Sequence, residues 1–249
     1  MKAKEIGGVK MRRKRCTAVV LAAGQGKRMG SKIQKQFLEL CGKPVLYYSL
    51  AAFQDSPLID SMILVTGASE IAFVEKEIVE KYELNKVEAV VEGGAERYAS
   101  VWKGLQALEE RMTEEQKEGY VFIHDGVRPF IHEEILSRAF DAVEKYHACV
   151  VGMPSKDTVK LADEAGFVAV TPARSLVWSI QTPQVFDFPL VYEAYAALEK
   201  SGRSDVTDDA MIVEAFTDTK VRLVEGSYEN IKITTPKDLK IAEAFLRRN

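Results

Sequence analysis

The sequence predicts an α/β fold: a Rossmann-like, mostly parallel sheet with helices on both faces and a β-hairpin arm protruding from it. Three observations predict it. Short apolar runs alternate with amphipathic helical stretches from residue 17 to residue 153. Those runs are largely continuous in apolar character, which marks strands buried on both faces. The rhythm then breaks at residues 158–171, where two short alternating runs flank Ala162-Asp163-Glu164-Ala165-Gly166, a turn composition.

In chain order, residues 17–21 (TAVVL) read as the first strand, and a long polar loop follows. Residues 44–54 read as a helix with Pro44 in its first turn, where the missing N–H costs nothing. Strand 62–65, helix 70–82, strand 87–91 and helix 97–110 come next. Strand 120–124, helix 133–146 and strand 148–153 complete the regular series. After the arm come a strand at 177–181, helices near 189–200 and 208–215, and a strand at 221–224. The last helix starts with Thr235 as N-cap, Pro236 in the first turn and Asp238 close behind, and runs to Arg247. There is no internal repeat or low-complexity linker, so residues 16–249 read as a single domain, its arm at about 155–175.

Composition narrows the function class. With 249 residues, 47% of them hydrophobic, and a formal net charge of -3, the chain is an ordinary globular sequence with no overall attraction to nucleic acid or an anionic membrane. Residues 1–15 hold Lys2, Lys4, Lys10, Arg12, Arg13, Lys14 and Arg15 against a single Glu5, and read as a disordered, solvated extension. No stretch reaches the roughly 20 apolar residues of a membrane span. Cys16, Cys41 and Cys149 are odd in number and form no CxxC pair, which fits a reducing cytoplasm. His124 and His132 flank His-Asp-Gly-Val-Arg-Pro-Phe-Ile-His, at a spacing that matches no metal-ligand motif.

Ligands of open parallel sheets bind beyond the carboxyl ends of the strands. The loop after the first strand reads Leu21-Ala22-Ala23-Gly24-Gln25-Gly26-Lys27-Arg28-Met29-Gly30, with Lys35 further on. Small residues let backbone amides approach a phosphate chain, and the basic residues supply charge. Two familiar phosphate loops are excluded. The third glycine comes one place too late for a dinucleotide fingerprint, and Gly30-Ser31 lacks the lysine of a P-loop.

The ordered motifs along the chain resemble those of the 2-C-methyl-D-erythritol 4-phosphate cytidylyltransferases of the non-mevalonate isoprenoid pathway. The glycine loop is followed by Lys35-Gln36-Phe37, then Gly93-Gly94-Ala95-Glu96-Arg97 leading to Ser100-Val101. His124-Asp125-Gly126-Val127-Arg128-Pro129, Asp157-Thr158-Val159-Lys160, and Arg174 four residues before Trp178 come next. Gln181-Thr182-Pro183-Gln184, Thr207-Asp208-Asp209-Ala210 and Asn230-Ile231-Lys232-Ile233-Thr234 close the set. The resemblance covers the chain from about Thr17 and implies a fold of the nucleotide-diphospho-sugar transferase type. Ala95 stands where some members carry an acidic residue that can touch the base.

What the resemblance implies is CMP transfer from CTP to 2-C-methyl-D-erythritol 4-phosphate, with pyrophosphate released. Such a reaction needs no nucleophilic triad, because a phosphate monoester is largely dianionic at pH 7. It needs positioning and charge stabilisation. On this reading Ala22, Ala23, Gly24, Gly26 and Lys27 cradle the triphosphate, the first residues through backbone amides. Arg28 and Lys35 stabilise the α-phosphate, and Gly94, Ala95 and Ser100 read the cytosine. Lys232 positions the acceptor phosphate, and Arg174 reaches it from a second subunit. Arg128, Thr158 and Thr182 handle the same acceptor. Asp125, with Gly126 behind it, is placed to hold a substrate hydroxyl or Mg²⁺, a cation held mainly by the triphosphate. The arm, with apolar Phe167 and Val170, implies a homodimer. Ribitol 5-phosphate is the alternative acceptor, and a nucleotide- or nucleic-acid-binding protein using the basic extension is the non-enzymatic alternative.

Overall fold

A computed structural model describes residues 5–6, 9–10, 13–24 and 33–248. Its centre is a seven-stranded sheet. We label the strands β1 (Cys16–Leu21), β2 (Ser61–Thr66), β3 (Val87–Glu92), β4 (Tyr120–Asp125), β5 (Ala148–Pro154), β6 (Trp178–Asp187) and β7 (Arg222–Glu225). They lie side by side in the order β7-β5-β6-β4-β1-β2-β3. Only β6 is antiparallel to its neighbours β4 and β5; the remaining pairs are parallel. The expected strand at 177–181 is thus the start of a longer one that runs backwards through the sheet. No local pattern announces that reversal, since a buried strand looks alike in either direction.

Helices cover both faces: α1 (Val45–Asp55), α2 (Arg97–Arg111), α3 (Glu133–Tyr146), α4 (Phe188–Ser201), α5 (Asp209–Phe216) and α6 (Pro236–Leu246). One core cluster joins the α1 and α3 side of the sheet through Val20, Leu50, Phe53, Phe122 and Phe140. The other joins α2, α4 and α5 through Val19, Leu105, Ile123, Phe186 and Tyr195. Alternate residues of β1 feed opposite clusters, as its two buried faces require. The expected helix 70–82 is broken up, with an α-helical turn at Ile71–Val74 and a π-helical segment at Glu75–Glu80. A short helix at Glu114–Lys117 was not expected, although Thr113 and Gln116 form its capping box.

Most of the basic extension lies outside the described residues; Glu5–Ile6 pairs antiparallel with Val9–Lys10. Its last residues are tied to the sheet. Arg13 pairs with Asp60 at 2.6 Å and donates to the Leu58 carbonyl at 2.6 Å, while Arg15 pairs with Glu88 at 2.6 Å. The solvated reading does not fit these two side chains, because carboxylates beside β2 and on β3 wait for them.

The hairpin is present in small form. Leu161–Ala162 pairs antiparallel with Val168–Val170. Asp163 builds the turn, its Oδ1 accepting the amides of Ala165 and Phe167 at 3.0 and 2.9 Å. Leu161, Phe167, Val168 and Val170 are all exposed, Phe167 at 73%.

Candidate active site

The strand order reverses at β1, which has β2 and β3 on one side and β4 on the other. In that register Leu21 lies beside Asp125 at the carboxyl ends. An open cleft sits there, where doubly wound sheets place their ligands. Its walls include Ala22, Ala23, Gly24, Lys35, Gly94, Ala95, Ser100, Asp125 and Lys232. Four loops distant in sequence thus bring together most of the expected residues.

Lys35 stands on the single turn Lys35–Phe37. Gln36 pins that turn: it is 1% exposed, and its Nε2 donates to the Ala22 carbonyl and to Gln34 Oε1, both at 2.5 Å. Ala22 contributes no free amide, because its N–H donates to the Val65 carbonyl at 2.7 Å. The expected phosphate cradle therefore loses its first member: the chain is still finishing β1 there. Gly26, Lys27 and Arg28 lie outside the described residues.

The second wall is the amino end of α2. Gly93 fits only without a side chain, since a Cβ would lie 2.6 Å from that of Ala23 and 2.9 Å from Ser100 Oγ. The Ser100 hydroxyl accepts the Gly94 amide at 3.1 Å and reaches the Glu96 carbonyl at 3.1 Å. Ser100 therefore shapes the expected base-recognition loop, and its hydroxyl is already engaged. Glu96, Arg97 and Ser100 of this helix amino terminus line the cleft, and a helix amino terminus is a favourable setting for an anion.

Asp125 ends β4 and is the electrostatic centre. Lys232 Nζ lies 2.8 Å from its Oδ2, Arg97 Nε 3.1 Å from its Oδ1, and Arg128 Nε 3.7 Å from its Oδ2. Burial works to raise its pKa, but Arg97, Lys232 and Arg128 outweigh burial and hold the carboxyl well below the usual range. Lys232 is delivered by a loop anchored through Ile233, fully buried against Val127, whose carbonyl accepts the Ile233 amide at 2.9 Å.

Arg97 was not among the expected site residues, although it stands inside the Gly93–Arg97 motif. It forks onto Asp209 with two bonds of 2.8 Å, and Tyr195 donates to the same fully buried carboxylate. Burial disfavours the Arg97 charge, yet Asp209 and Asp125 hold its pKa well above the ordinary value. Its partner lies 112 residues away, so nothing local could reveal the pairing.

Several expected contacts sit behind the cleft. Gly126 is buried, donates its amide to the Leu21 carbonyl at 2.8 Å, and has no room for a Cβ, which would lie 2.7 Å from Leu46. Thr182 is 3% exposed, and its hydroxyl accepts the Asp125 amide at 3.1 Å. Arg128 donates to the Asn230 carbonyl at 2.8 Å. Thr158 and Arg174 lie exposed on the arm segment and line no part of their own chain's cleft. His124 is fully buried beside Asp125, and burial pushes its pKa down to about 4. Its Nε2 faces the Arg128 carbonyl at 3.2 Å. The other motif histidine, His132, precedes α3 as its N-cap residue.

Comparison with known proteins decides the family. The family model described as 2-C-methyl-D-erythritol 4-phosphate cytidylyltransferase matches residues 16–248. The chain belongs to this family. A curated member from Lachnospira eligens is 47% identical over 232 residues, covering 93% of this chain and 99% of the relative. One from Lachnoclostridium phytofermentans is 48% identical over 233 residues, covering 94% and 97%. Among solved structures, the 4-diphosphocytidyl-2C-methyl-D-erythritol synthase of Anaerococcus prevotii superposes with a TM-score of 0.80 at 37% identity, covering 94% of this chain and 97% of that one. The family's Rossmann-like nucleotidyltransferase architecture is the one described above.

For a divalent cation, the donors available are few. The described residues hold no group of three or more His, Cys, Asp or Glu side chains that could bind a metal. Asp125 and Glu96 are the carboxylates lining the cleft, and Asp125 is already shared with cations. Such a set fits Mg²⁺, which keeps its waters and takes one or two carboxylates plus substrate phosphates. Neither is a helix of the described residues long and apolar enough to cross a membrane.

Proposed function

We propose that the chain transfers CMP from CTP to 2-C-methyl-D-erythritol 4-phosphate, giving 4-diphosphocytidyl-2-C-methyl-D-erythritol and pyrophosphate. The observation that carries this reading is the convergence of Lys35, Arg97 and Lys232 on the cleft around Asp125, in a chain of this family. An oxygen of the acceptor phosphate attacks the α-phosphorus of CTP in line. A new P–O bond forms as the bond to the bridging oxygen of the β-phosphate breaks, and pyrophosphate leaves with that electron pair. The acceptor is already an anion, so no base is required.

The work left to the protein is electrostatic. Lys35 lies against the α-phosphate and lowers the cost of charge building there, a role the sequence also gives to Arg28. Lys232 holds the acceptor phosphate while Asp125 fixes the ammonium. Asp125 remains ionised across the physiological range because three cations hold it so. The amino end of α2, with Gly94 and Ala95, borders the nucleotide. Asp125 would offer an oxygen to Mg²⁺, which when bound neutralises part of the triphosphate charge.

The arm completes the site. Exposed Leu161, Phe167, Val168 and Val170 have nothing to cover them in one chain, and Arg174 and Thr158 accompany them. A homodimer that buries this arm would bring both residues to the acceptor of a second copy. Buried Cys16 and Cys149, their thiols pushed up to about 12 by burial, suit a reducing cytoplasm. Pyrophosphate release from CTP tests the function, with methylerythritol phosphate and ribitol 5-phosphate assayed side by side. Release with the first acceptor alone is expected; release with ribitol 5-phosphate alone, or with neither, overturns the proposal.

A further inference from the structure

Behind the cleft, four residues from three segments close a ring of hydrogen bonds. His124 Nε2 meets the Arg128 carbonyl at 3.2 Å, and Arg128 donates to the Asn230 carbonyl at 2.8 Å. Asn230 Nδ2 donates to the Thr182 carbonyl at 2.9 Å, and the Thr182 hydroxyl meets His124 Nδ1 at 3.0 Å. His124 and Asn230 are fully buried and Thr182 nearly so. None of the three lines the cleft.

The chemistry of the partners fixes the direction of the ring. A carbonyl oxygen only accepts, so Nε2 of His124 carries the hydrogen. Nδ1 is then the acceptor, and the Thr182 hydroxyl must donate to it. That leaves the hydroxyl's lone pairs for the Asp125 amide, which donates to it at 3.1 Å. The Phe53 ring packs edge-on against the imidazole, 5.2 Å between centroids, and restrains its rotation.

The ring is placed between the two groups that matter most in the cleft. Asp125 follows His124 directly, and Lys232 lies two residues beyond Asn230. Their ion pair of 2.8 Å spans segments that the ring itself joins. We infer that the His124–Arg128–Asn230–Thr182 ring is a positioning device that sets Asp125 and Lys232 against each other, with His124 and Asn230 as positioning residues for the transfer. A buried hydrogen-bonded network favours one geometry, and opening it leaves further buried groups unpaired, beyond Arg128 Nε and Asn230 Oδ1, which have no hydrogen-bond partner in the ring. A displacement of about 1 Å at a reacting centre costs on the order of a hundredfold in rate.

This inference rests on the proposed transfer, and turnover of methylerythritol phosphate by the unaltered protein tests that reading separately. His124→Phe keeps the ring shape and removes both bonds. It is expected to raise the acceptor KM and lower kcat, each roughly tenfold, and to leave the CTP KM within about twofold. His124→Asn keeps an acceptor near the Nδ1 position and should recover most of the loss; His124→Gln keeps only the donor and should recover less. Thr182→Val should cost at least as much as His124→Phe, because it also strips the Asp125 amide of its acceptor. The double variant should be little worse than Thr182→Val alone, because both open the same chain. Imidazole ¹⁵N shifts of the ligand-free protein give a readout without turnover. They should report the Nε2–H tautomer in the unaltered protein and lose that pattern in Thr182→Val. Wild-type acceptor kinetics in His124→Phe, losses that multiply in the double variant, or an Nδ1–H tautomer would each overturn the inference. Should His124→Phe fail to fold, His124→Asn, Thr182→Val and the ¹⁵N measurement carry the test.

Discussion

The cleft and the arm are built on opposite principles. In the cleft nearly every polar group described is spoken for: Asp125 touches three cations, Arg97 spans two carboxylates, and Gln36 is pinned by two bonds. On the arm, a ladder of a few residues carries four exposed large apolar side chains. The described part of the first region is held in place by contacts within one chain. The second leaves apolar area in water that a short hairpin cannot bury by itself. The contrast teaches that one chain's core fixes the cleft, while the proposed dimer would be what covers the arm.

That contrast can be broken at either end. The largest effect is expected in the cleft: Lys35→Ala should cut turnover by roughly 10²–10³, as for loss of a transition-state charge contact, with the circular dichroism spectrum unchanged. A near-normal rate would remove Lys35 from the chemistry and leave the cleft without its expected centre. The next is a pH effect on the cleft's support. His124 titrates near 4 in the folded state against about 6.5 unfolded, so between these values the unfolded chain binds the extra proton. Stability should be undiminished by this group above pH 6.5 and should fall as pH drops towards 4, by about 3 kcal/mol in total. Urea titrations in divalent-free buffer between pH 7 and 4 would show it, and His124→Gln should flatten that slope.

On the arm, Arg174→Ala should raise the acceptor KM about tenfold and spare the CTP KM, the loss of one charged contact. Mixing it with Lys35→Ala sharpens the test. If sites are shared, mixed dimers carry one intact site, and about a quarter of wild-type activity should return after subunit exchange. No recovery would mean that each arm serves its own chain. The smallest expected effect is that of Phe167→Glu, which should weaken dimerisation by roughly tenfold or more in sedimentation experiments with little change in melting temperature. Unaltered sedimentation would show that the exposed face is not where copies meet.

Much of this was written in short stretches of sequence. The apolar runs at 17–21, 62–65, 120–124 and 148–153 became central strands because such runs can be buried only in a sheet covered on both sides. Thr235, Pro236 and Asp238 marked the start of α6, since capping is a matter of neighbouring residues. The Asp163–Gly166 turn is equally local. Lys35 and Asp125 stand in the loop and at the strand end where ligands of such sheets bind, whereas Lys232 was marked only by the family resemblance of its motif.

Only the tertiary structure decided which of these residues meet, and how each is occupied. It reversed β6, spent the Ala22 amide on Val65, and turned the Ser100 hydroxyl inward. It paired Arg97 with Asp209 and tied His124 to Thr182, 58 residues away. The physical reason is the range of the forces involved. Helix caps, turns and apolar periodicity act between near neighbours and are printed in the order of residues. A hydrogen-bond partner or an ion pair is chosen from whatever the folded sheet brings within 3 Å, and that choice exists only once the strands have taken their places.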